Sequence, residues 1–150
     1  MKVLLGTDGS DHAVGAARAL TLLAADEVLV ACVVAAPAAA TAGLESGFAG
    51  GLASADQIDR AWADVHAEAQ RAIDRTTDAL TAAASVDAVV VDGDPGATLC
   101  QLAEERAADV IVVGSRGLGA IRRALLGSVS TYVVNNAPCA VLVVPAESHD

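Results

Sequence analysis

The stretch Val110-Ile111-Val112-Val113-Gly114-Ser115-Arg116-Gly117 decides the fold of this chain. Its four consecutive apolar residues, with no polar alternation, are typical of a strand that is covered on both faces, as in a parallel sheet. The glycines that follow let the backbone turn sharply and approach a ligand closely. Nine residues then separate Gly117 from Gly127-Ser128-Val129-Ser130, which has the pattern of a helix start. Together the two stretches predict a strand, a glycine turn and a helix N-terminus that surround a bound phosphate.

Five short apolar runs rich in valine predict the strands of one sheet. They are Val3–Gly6, Val28–Val34, Ala88–Val91, Val110–Gly114 and Ala140–Val144. Helical patterns lie between them: Ser10 and Ser54 are predicted N-caps of two helices. Pro95 opens a third helix, and a fourth begins near Ser128. This alternation predicts an α/β fold, an open doubly wound parallel sheet of five strands with helices on both faces.

The second predicted helix and the segment before it have distinct patterns. Ser54 with Gln57 three residues later predicts a capping box. The helix carries a row of residues at helical spacing on one face, namely Ile58, Trp62, Val65, Ala69, Ile73, Thr76 and Leu80. The range 35–55 is rich in alanine and glycine and nearly uncharged, and we interpret it as a mobile loop. Residues 1–150 are predicted to form a single domain.

The composition argues against several classes of partner. A net charge of −10 disfavours binding to nucleic acid or to an anionic membrane. No apolar run approaches the roughly 18 residues needed to span a membrane, and the first residues are too short an apolar stretch for a secretory signal. Cys32, Cys100 and Cys139 form no metal-binding motif. We therefore expect reduced thiols in a cytoplasmic protein.

Glycines and polar residues follow the predicted strands at the edge where open α/β sheets bind ligands. The stretch Gly6-Thr7-Asp8-Gly9-Ser10 follows the first strand, and Asp92-Gly93-Asp94-Pro95 follows the third. Ser128 and Ser130 add hydroxyl groups to the free amides of a helix start. The loops are therefore expected to assemble into one site.

Positive charge accompanies the glycine turn. No acidic residue lies between Asp109 and Glu147, whereas three of the nine basic residues fall there, namely Arg116, Arg122 and Arg123. In an acidic chain this local excess of positive charge favours a polyphosphate. The alternative for Arg122 and Arg123 is a solvated loop or helix face.

These residues resemble the universal stress protein family along essentially the whole chain. The resemblance rests on residues 6–10, Gly93-Asp94-Pro95, and the segments 108–117, 127–130 and 137–145. The glycine motif, which in that family separates the ATP-binding branch from the branch that lacks ATP, has every position here. The resemblance implies the strand order 3-2-1-4-5 and ATP above the carboxyl ends of strands 1 and 4. It also implies homodimers that pair through the last strand.

The resemblance also implies which residues contact the nucleoside. Asp8 is expected to bond the ribose or the adenine end, because a carboxylate suits sugar hydroxyls and repels phosphate. The backbone of Val33 is expected to pair with the adenine edge, and Thr7 completes this part of the predicted site. The alternative for Asp8 is an Asx-turn or a helix N-cap.

A second set of residues is expected along the phosphates. Val113 and Gly114 would line the path of the ribose and phosphates. The residues expected to hold the phosphates, with a Mg²⁺ or Mn²⁺ ion bound through them, are Gly117, Gly127, Ser128, Val129 and Ser130. We add Arg116 because of its charge and its position between the two glycines. No side chain is predicted to bind a metal directly.

The sequence favours binding over fast catalysis. It has no Gly-x-Ser-x-Gly elbow, no plausible Ser/His/Asp set and no Lys-Ser/Thr ending of a P-loop. Only Asp8 and Asp94 could orient a hydrolytic water. We expect an ATP-binding stress-response or signalling protein, with ATP hydrolysis slow if present. The alternatives are a weak hydrolase of ATP or a dinucleotide, and an interaction module that binds another adenine ligand such as a cyclic nucleotide.

Overall fold

Five parallel strands form one sheet. They are β1 (Lys2–Gly6), β2 (Glu27–Val34), β3 (Ser85–Asp92), β4 (Val110–Gly114) and β5 (Ala140–Val144). Their order is β3-β2-β1-β4-β5, and every neighbouring pair is parallel. The structure, a computed structural model, describes residues 1–45, 53–81, 85–118 and 126–145. The predicted fold class and strand order are confirmed.

Helices connect the strands. They are α1 (Asp11–Ala19), α2 (Ala38–Glu45), α3 (Ala55–Asp78), α4 (Pro95–Glu105) and α5 (Ser128–Asn136). Helix α1 continues as a 3-10 turn over Leu20–Leu22, so the helix tightens in its last turn. Within the described ranges no helix is long and apolar enough to cross a membrane.

Helix α2 lies inside the range 35–55, which the sequence pattern predicts as a loop. Half of its eight residues are alanine, which has the highest intrinsic helix propensity. They show little contrast between apolar and polar faces, and so no helical periodicity is visible in the sequence. Residues 46–52, which belong to the same predicted loop, lie outside the described residues.

The start of helix α3 forms as predicted. The Ser54 side chain accepts a hydrogen bond from the Gln57 amide at 3.2 Å, and the Gln57 side chain accepts one from the Ser54 amide at 2.8 Å. This is a complete capping box. One face of the helix is buried further along, at Ala69, Ala72, Ile73 and Thr76.

Helices cover both faces of the sheet. Successive residues of β1 show this most directly, because Leu4 is 1% exposed on one face and Leu5 is 0% exposed on the other. Helices α1 and α3 pack on the face that contains Leu5, and α4 and α5 pack on the face that contains Leu4. Because β1 pairs with both β2 and β4, the loops after β1 and β4 meet at the carboxyl edge of the sheet.

Candidate functional site

A cleft of about 530 Å³ opens at the carboxyl ends of β1, β2 and β4. Its volume lies in the range of roughly 300 to 1,000 Å³ that is usual for small-molecule sites. The structure brings all the predicted site residues to this one cleft: Thr7, Asp8, Val33, Val113, Gly114, Arg116, Gly117, Gly127, Ser128, Val129 and Ser130.

Further lining residues were not predicted from the sequence. They are Gly6, Ala13, Ala31, Pro95, Leu99, Leu118 and Leu126. Leu99 could have been found, because helical periodicity places it on the inward face of α4. Arg122 and Arg123 lie outside the described residues.

Asp8 joins the two sides of the cleft. One carboxylate oxygen accepts a hydrogen bond from the Ser10 amide at 3.0 Å, which is the Asx-turn that the sequence left open. The other accepts one from the Leu118 amide at 2.8 Å. The carboxylate therefore lies against the glycine turn, directly beside Gly117. Since an ionised carboxylate offers about four lone-pair positions, two remain for a ligand.

The hydroxyl of Thr7 is engaged by the protein itself. Its oxygen accepts a hydrogen bond from the Gly9 amide at 3.0 Å and lies 2.6 Å from the hydroxyl of Thr76 on α3. Thr7 is 8% exposed, although it lines the cleft. Its side chain consequently joins the loop after β1 to α3.

The N-terminus of α5 also borders the cleft. Its N-cap residue is Gly127, so the residue itself offers no side chain to the first amides of the helix. Those amides belong to Ser128, Val129 and Ser130, and helix geometry leaves them without an intrahelical acceptor. By contrast, Ser10 and Asp94 cap α1 and α4 with their side chains.

Two hydrogen bonds hold the start of α5 against the glycine turn. The Ser115 carbonyl accepts from the Gly127 amide at 2.7 Å and from the Ser130 hydroxyl at 2.9 Å. Ser130 is 2% exposed, and its hydroxyl also lies 3.1 Å from the Gly127 carbonyl. The proton of this hydroxyl therefore stabilises the turn, and only its lone pairs remain for other contacts.

Arg116 brings an unsatisfied donor to the same place. Its Nε atom is buried and has no hydrogen-bond partner among the described residues, and the side chain lines the cleft. Buried charged donors are normally hydrogen-bonded, so an orphan of this kind indicates a missing acceptor. An anion in the cleft would supply it.

His12, which is not among the predicted site residues, contacts the glycine turn. Its Nδ1 atom lies 3.1 Å from the buried hydroxyl of Ser115, and its side chain packs on Gly114. His12 does not line the cleft, and so it supports the glycine turn on the side that faces away from the cleft.

The pKa values of all three cysteine thiols are raised. Burial, with a smaller contribution from the charge of Asp8, raises the pKa of the Cys32 thiol to about 11, which leaves almost no thiolate at neutral pH. Burial also raises the pKa of Cys100 and Cys139. Among described residues, no group of three or more His, Cys, Asp or Glu side chains could hold a metal ion.

The sequence profile of the universal stress protein family matches residues 1–145. The chain belongs to the universal stress protein family. Among its relatives, universal stress protein Slr1101 of Synechocystis sp. is 49% identical over 53 residues, which are 35% of this chain and 49% of that protein. The match thus spans about half the length of this curated universal stress protein.

Solved universal stress protein structures are similar over nearly the whole chain. UspA from Lactobacillus plantarum is 25% identical with a TM-score of 0.67, and the match covers 96% of this chain and 97% of that one. A universal stress protein in complex with cAMP is 28% identical with a TM-score of 0.59, over 98% of both chains.

Proposed function

We propose that this universal stress protein binds an adenine nucleotide in the cleft and acts in a stress response or in signalling through that binding. Two neighbouring features carry the proposal: the N-terminus of α5, which has no side-chain cap, and the buried Nε of Arg116, which has no hydrogen-bond partner among the described residues. Both line the same cleft, and both favour the binding of an anion there.

The two features suit a phosphate for independent reasons. The partial positive charge of a helix N-terminus favours an anion, and the free amides donate hydrogen bonds to it. A guanidinium donates charge-assisted hydrogen bonds, which are stronger than neutral ones. The phosphates of the nucleotide would therefore lie between Arg116 and Ser128.

The remaining residues are proposed to hold the nucleoside. Val33, Val113 and Leu99 offer an apolar wall for the base and sugar, with the backbone of Val33 at the adenine edge. The free lone pairs of Asp8 would accept hydrogen bonds from the ribose hydroxyls. We propose ATP as the ligand. Because only Asp8 among the described lining residues carries a carboxylate, a Mg²⁺ or Mn²⁺ ion would be held mainly by the phosphates and water.

A fast ATPase is disfavoured by the same geometry. Hydrolysis requires a group that orients the attacking water. The remaining lone pairs of Asp8 would be taken by the ribose hydroxyls, and the Asp94 side chain caps α4 at the Ala97 amide. The proposed function is accordingly one of binding.

A cyclic nucleotide is the second candidate ligand. The solved relative in complex with cAMP is 28% identical and covers 98% of this chain. A cyclic phosphodiester carries a single negative charge, which Arg116 and the amides of α5 could satisfy without a metal ion. Competition between cAMP and ATP distinguishes the two candidates.

The decisive experiment changes the charge at the start of α5. Ser128→Asp places a carboxylate at the first helical position, which favours the helix but repels a phosphate. We expect calorimetry to show at least about a tenfold loss of ATP affinity, equivalent to about 1.4 kcal/mol. Adenosine, which lacks phosphates, should bind equally well to the variant and to the natural protein.

Ser128→Asn is the matched control, because it has the size of aspartate without its charge. Ser128 is exposed, so neither substitution disturbs the core. Equal ATP affinity of the two variants would refute the phosphate position. Mass spectrometry of the natively purified protein would identify a nucleotide that remains bound.

We further propose a cytoplasmic homodimer that pairs through β5. That strand is an edge of the sheet, and unpaired edges are sites of association. Val141 and Val143 are only partly buried. Sedimentation velocity tests the proposal, and a monomer at micromolar concentration would contradict it.

A further inference from the structure

Two buried threonines connect α3 to the loop that carries Asp8. The hydroxyl oxygens of Thr7 and Thr76 lie 2.6 Å apart, and Thr76 is 0% exposed. Thr76 donates its proton to the Ala72 carbonyl at 2.8 Å. Since a hydroxyl has one proton, Thr7 must be the donor of the bond between the threonines. Thr7 in turn accepts from the Gly9 amide, so one ordered chain of hydrogen bonds runs from Gly9 to α3.

Helix α3 holds Gly9 by two further contacts. Gly9 has a φ of +76°, and a Cβ atom there would lie 2.9 Å from the Cβ of Ala72, so the loop and the helix are in close contact. Arg75 donates to the Gly9 carbonyl at 2.5 Å and to Asp11 at 2.6 Å. The residues on both sides of Asp8 are therefore fixed by one helix.

We propose that Thr76 is a positioning residue for the ligand site. By holding Thr7 and Gly9, it directs the carboxylate of Asp8 toward the Leu118 amide and the interior of the cleft. The inference rests on the proposed function for its ligand. It goes further by making nucleotide affinity depend on a helix that contributes no residue to the described cleft lining.

The first test is Thr76→Val, which keeps the shape of the side chain and removes the acceptor for the Thr7 proton. We expect ATP affinity to fall about tenfold, because the Thr7 hydroxyl would lose its acceptor and the loop that carries Asp8 would no longer be held in the orientation that the ligand requires. Thr76→Ser keeps the hydroxyl and should restore the affinity. An unchanged affinity of Thr76→Val would overturn the proposal.

Thr77→Val is the matched control. It makes the same chemical change one position along the helix, where the Thr77 hydroxyl oxygen is buried without a partner among the described residues. No hydrogen bond is lost there, so ATP affinity should be unchanged. An equal loss of ATP affinity in Thr77→Val and Thr76→Val would mean that removing any threonine hydroxyl from this part of the helix weakens binding. That result would overturn the specific role of Thr76.

A double-mutant cycle separates positioning from general destabilisation. If Thr76 acts through Asp8, then Thr76→Val should have little effect on ATP affinity once Asp8→Asn is present. Additive losses of affinity would contradict the proposal.

Arg75→Gln provides a variant that is expected to fold even if Thr76→Val does not, because Arg75 is exposed at the surface. It should accelerate amide exchange at Gly9 and Leu118, whereas Arg71→Gln, exposed one turn earlier, should not. This readout needs no ligand. Failure of the natural protein to bind any adenine nucleotide would refute the proposed function, whereas unchanged exchange in Arg75→Gln would refute the inference.

Discussion

The Asp8 carboxylate accepts a hydrogen bond from the Leu118 amide at 2.8 Å, although 110 positions separate the two residues in the chain. The contact is possible because β1 and β4 are neighbours in the sheet. It closes the base of the cleft between the loop after β1 and the glycine turn.

Asp8→Asn should lower the free energy of unfolding by about 1–2 kcal/mol. An amide side chain has one acceptor oxygen, so its NH₂ group would face either the Ser10 or the Leu118 amide in place of an acceptor. Urea unfolding monitored by circular dichroism measures the loss. Asp87→Asn removes the same charge from an exposed position of β3 and should have little effect on stability.

Gly117→Ala should disturb the same contact without unfolding the protein. The added methyl group would clash with the Asp8 carboxylate, which can swing aside only by losing its bond to Leu118. We expect a loss of about 1–2 kcal/mol in stability and faster amide exchange at Leu118. In Gly127→Ala the new atom would lie 3.4 Å from Arg116 and 3.6 Å from the Ser115 carbonyl, so exchange at Leu118 should not change.

Cys32 should make stability depend on alkaline pH. Its pKa is raised from 9.0 to about 11 in the folded state, so its contribution is fully present below pH 9 and is lost as the pH rises through about 11. Over two pKa units the loss approaches about 3 kcal/mol. The free energy of unfolding of the natural protein, measured with urea, should therefore fall more steeply as the pH rises than that of Cys32→Ala. Parallel curves would show that burial does not affect this thiol.

Ser54→Ala should destabilise α3 at the end opposite to Thr76. Loss of the capping box typically costs about 1 kcal/mol. Because Thr76 lies near the other end of the helix, ATP affinity should stay unchanged when the protein is fully folded. Thermal unfolding and calorimetry on the same sample measure the two effects. A parallel loss of affinity would mean that nucleotide binding reports overall stability.

The sequence predicts the strands of the sheet and the helix caps well, because both depend on local patterns. Val110–Gly114 and Ala140–Val144 form strands with the predicted bounds, since uninterrupted apolar residues end at a glycine or a proline. The reciprocal bonds of Ser54 and Gln57 also follow from a spacing of three residues. The sequence pattern did not predict helix α2, because its alanine-rich residues show no contrast between an apolar and a polar face.

The details of the site depend on contacts between distant residues, which no spacing predicts. Many residues of the cleft could be predicted because they lie at the carboxyl ends of strands, where open parallel sheets bind ligands, and because the resemblance to the universal stress protein family implied which of them make the contacts. The bond between Thr7 and Thr76 joins residues 69 positions apart, and the periodicity of α3 marked Thr76 only as inward-facing. Likewise, no local sequence pattern indicates that the Leu118 amide donates a hydrogen bond to Asp8.

The central place of β1 has a consequence for synthesis on the ribosome. The strand is synthesised before both of its partners, and one of them, β4, begins only at Val110, with α5 later still. A nascent chain that stalls before this point exposes one side of its first strand and has no second wall for its cleft. Assembly of the cleft therefore has to wait until β4 and the start of α5 have been synthesised.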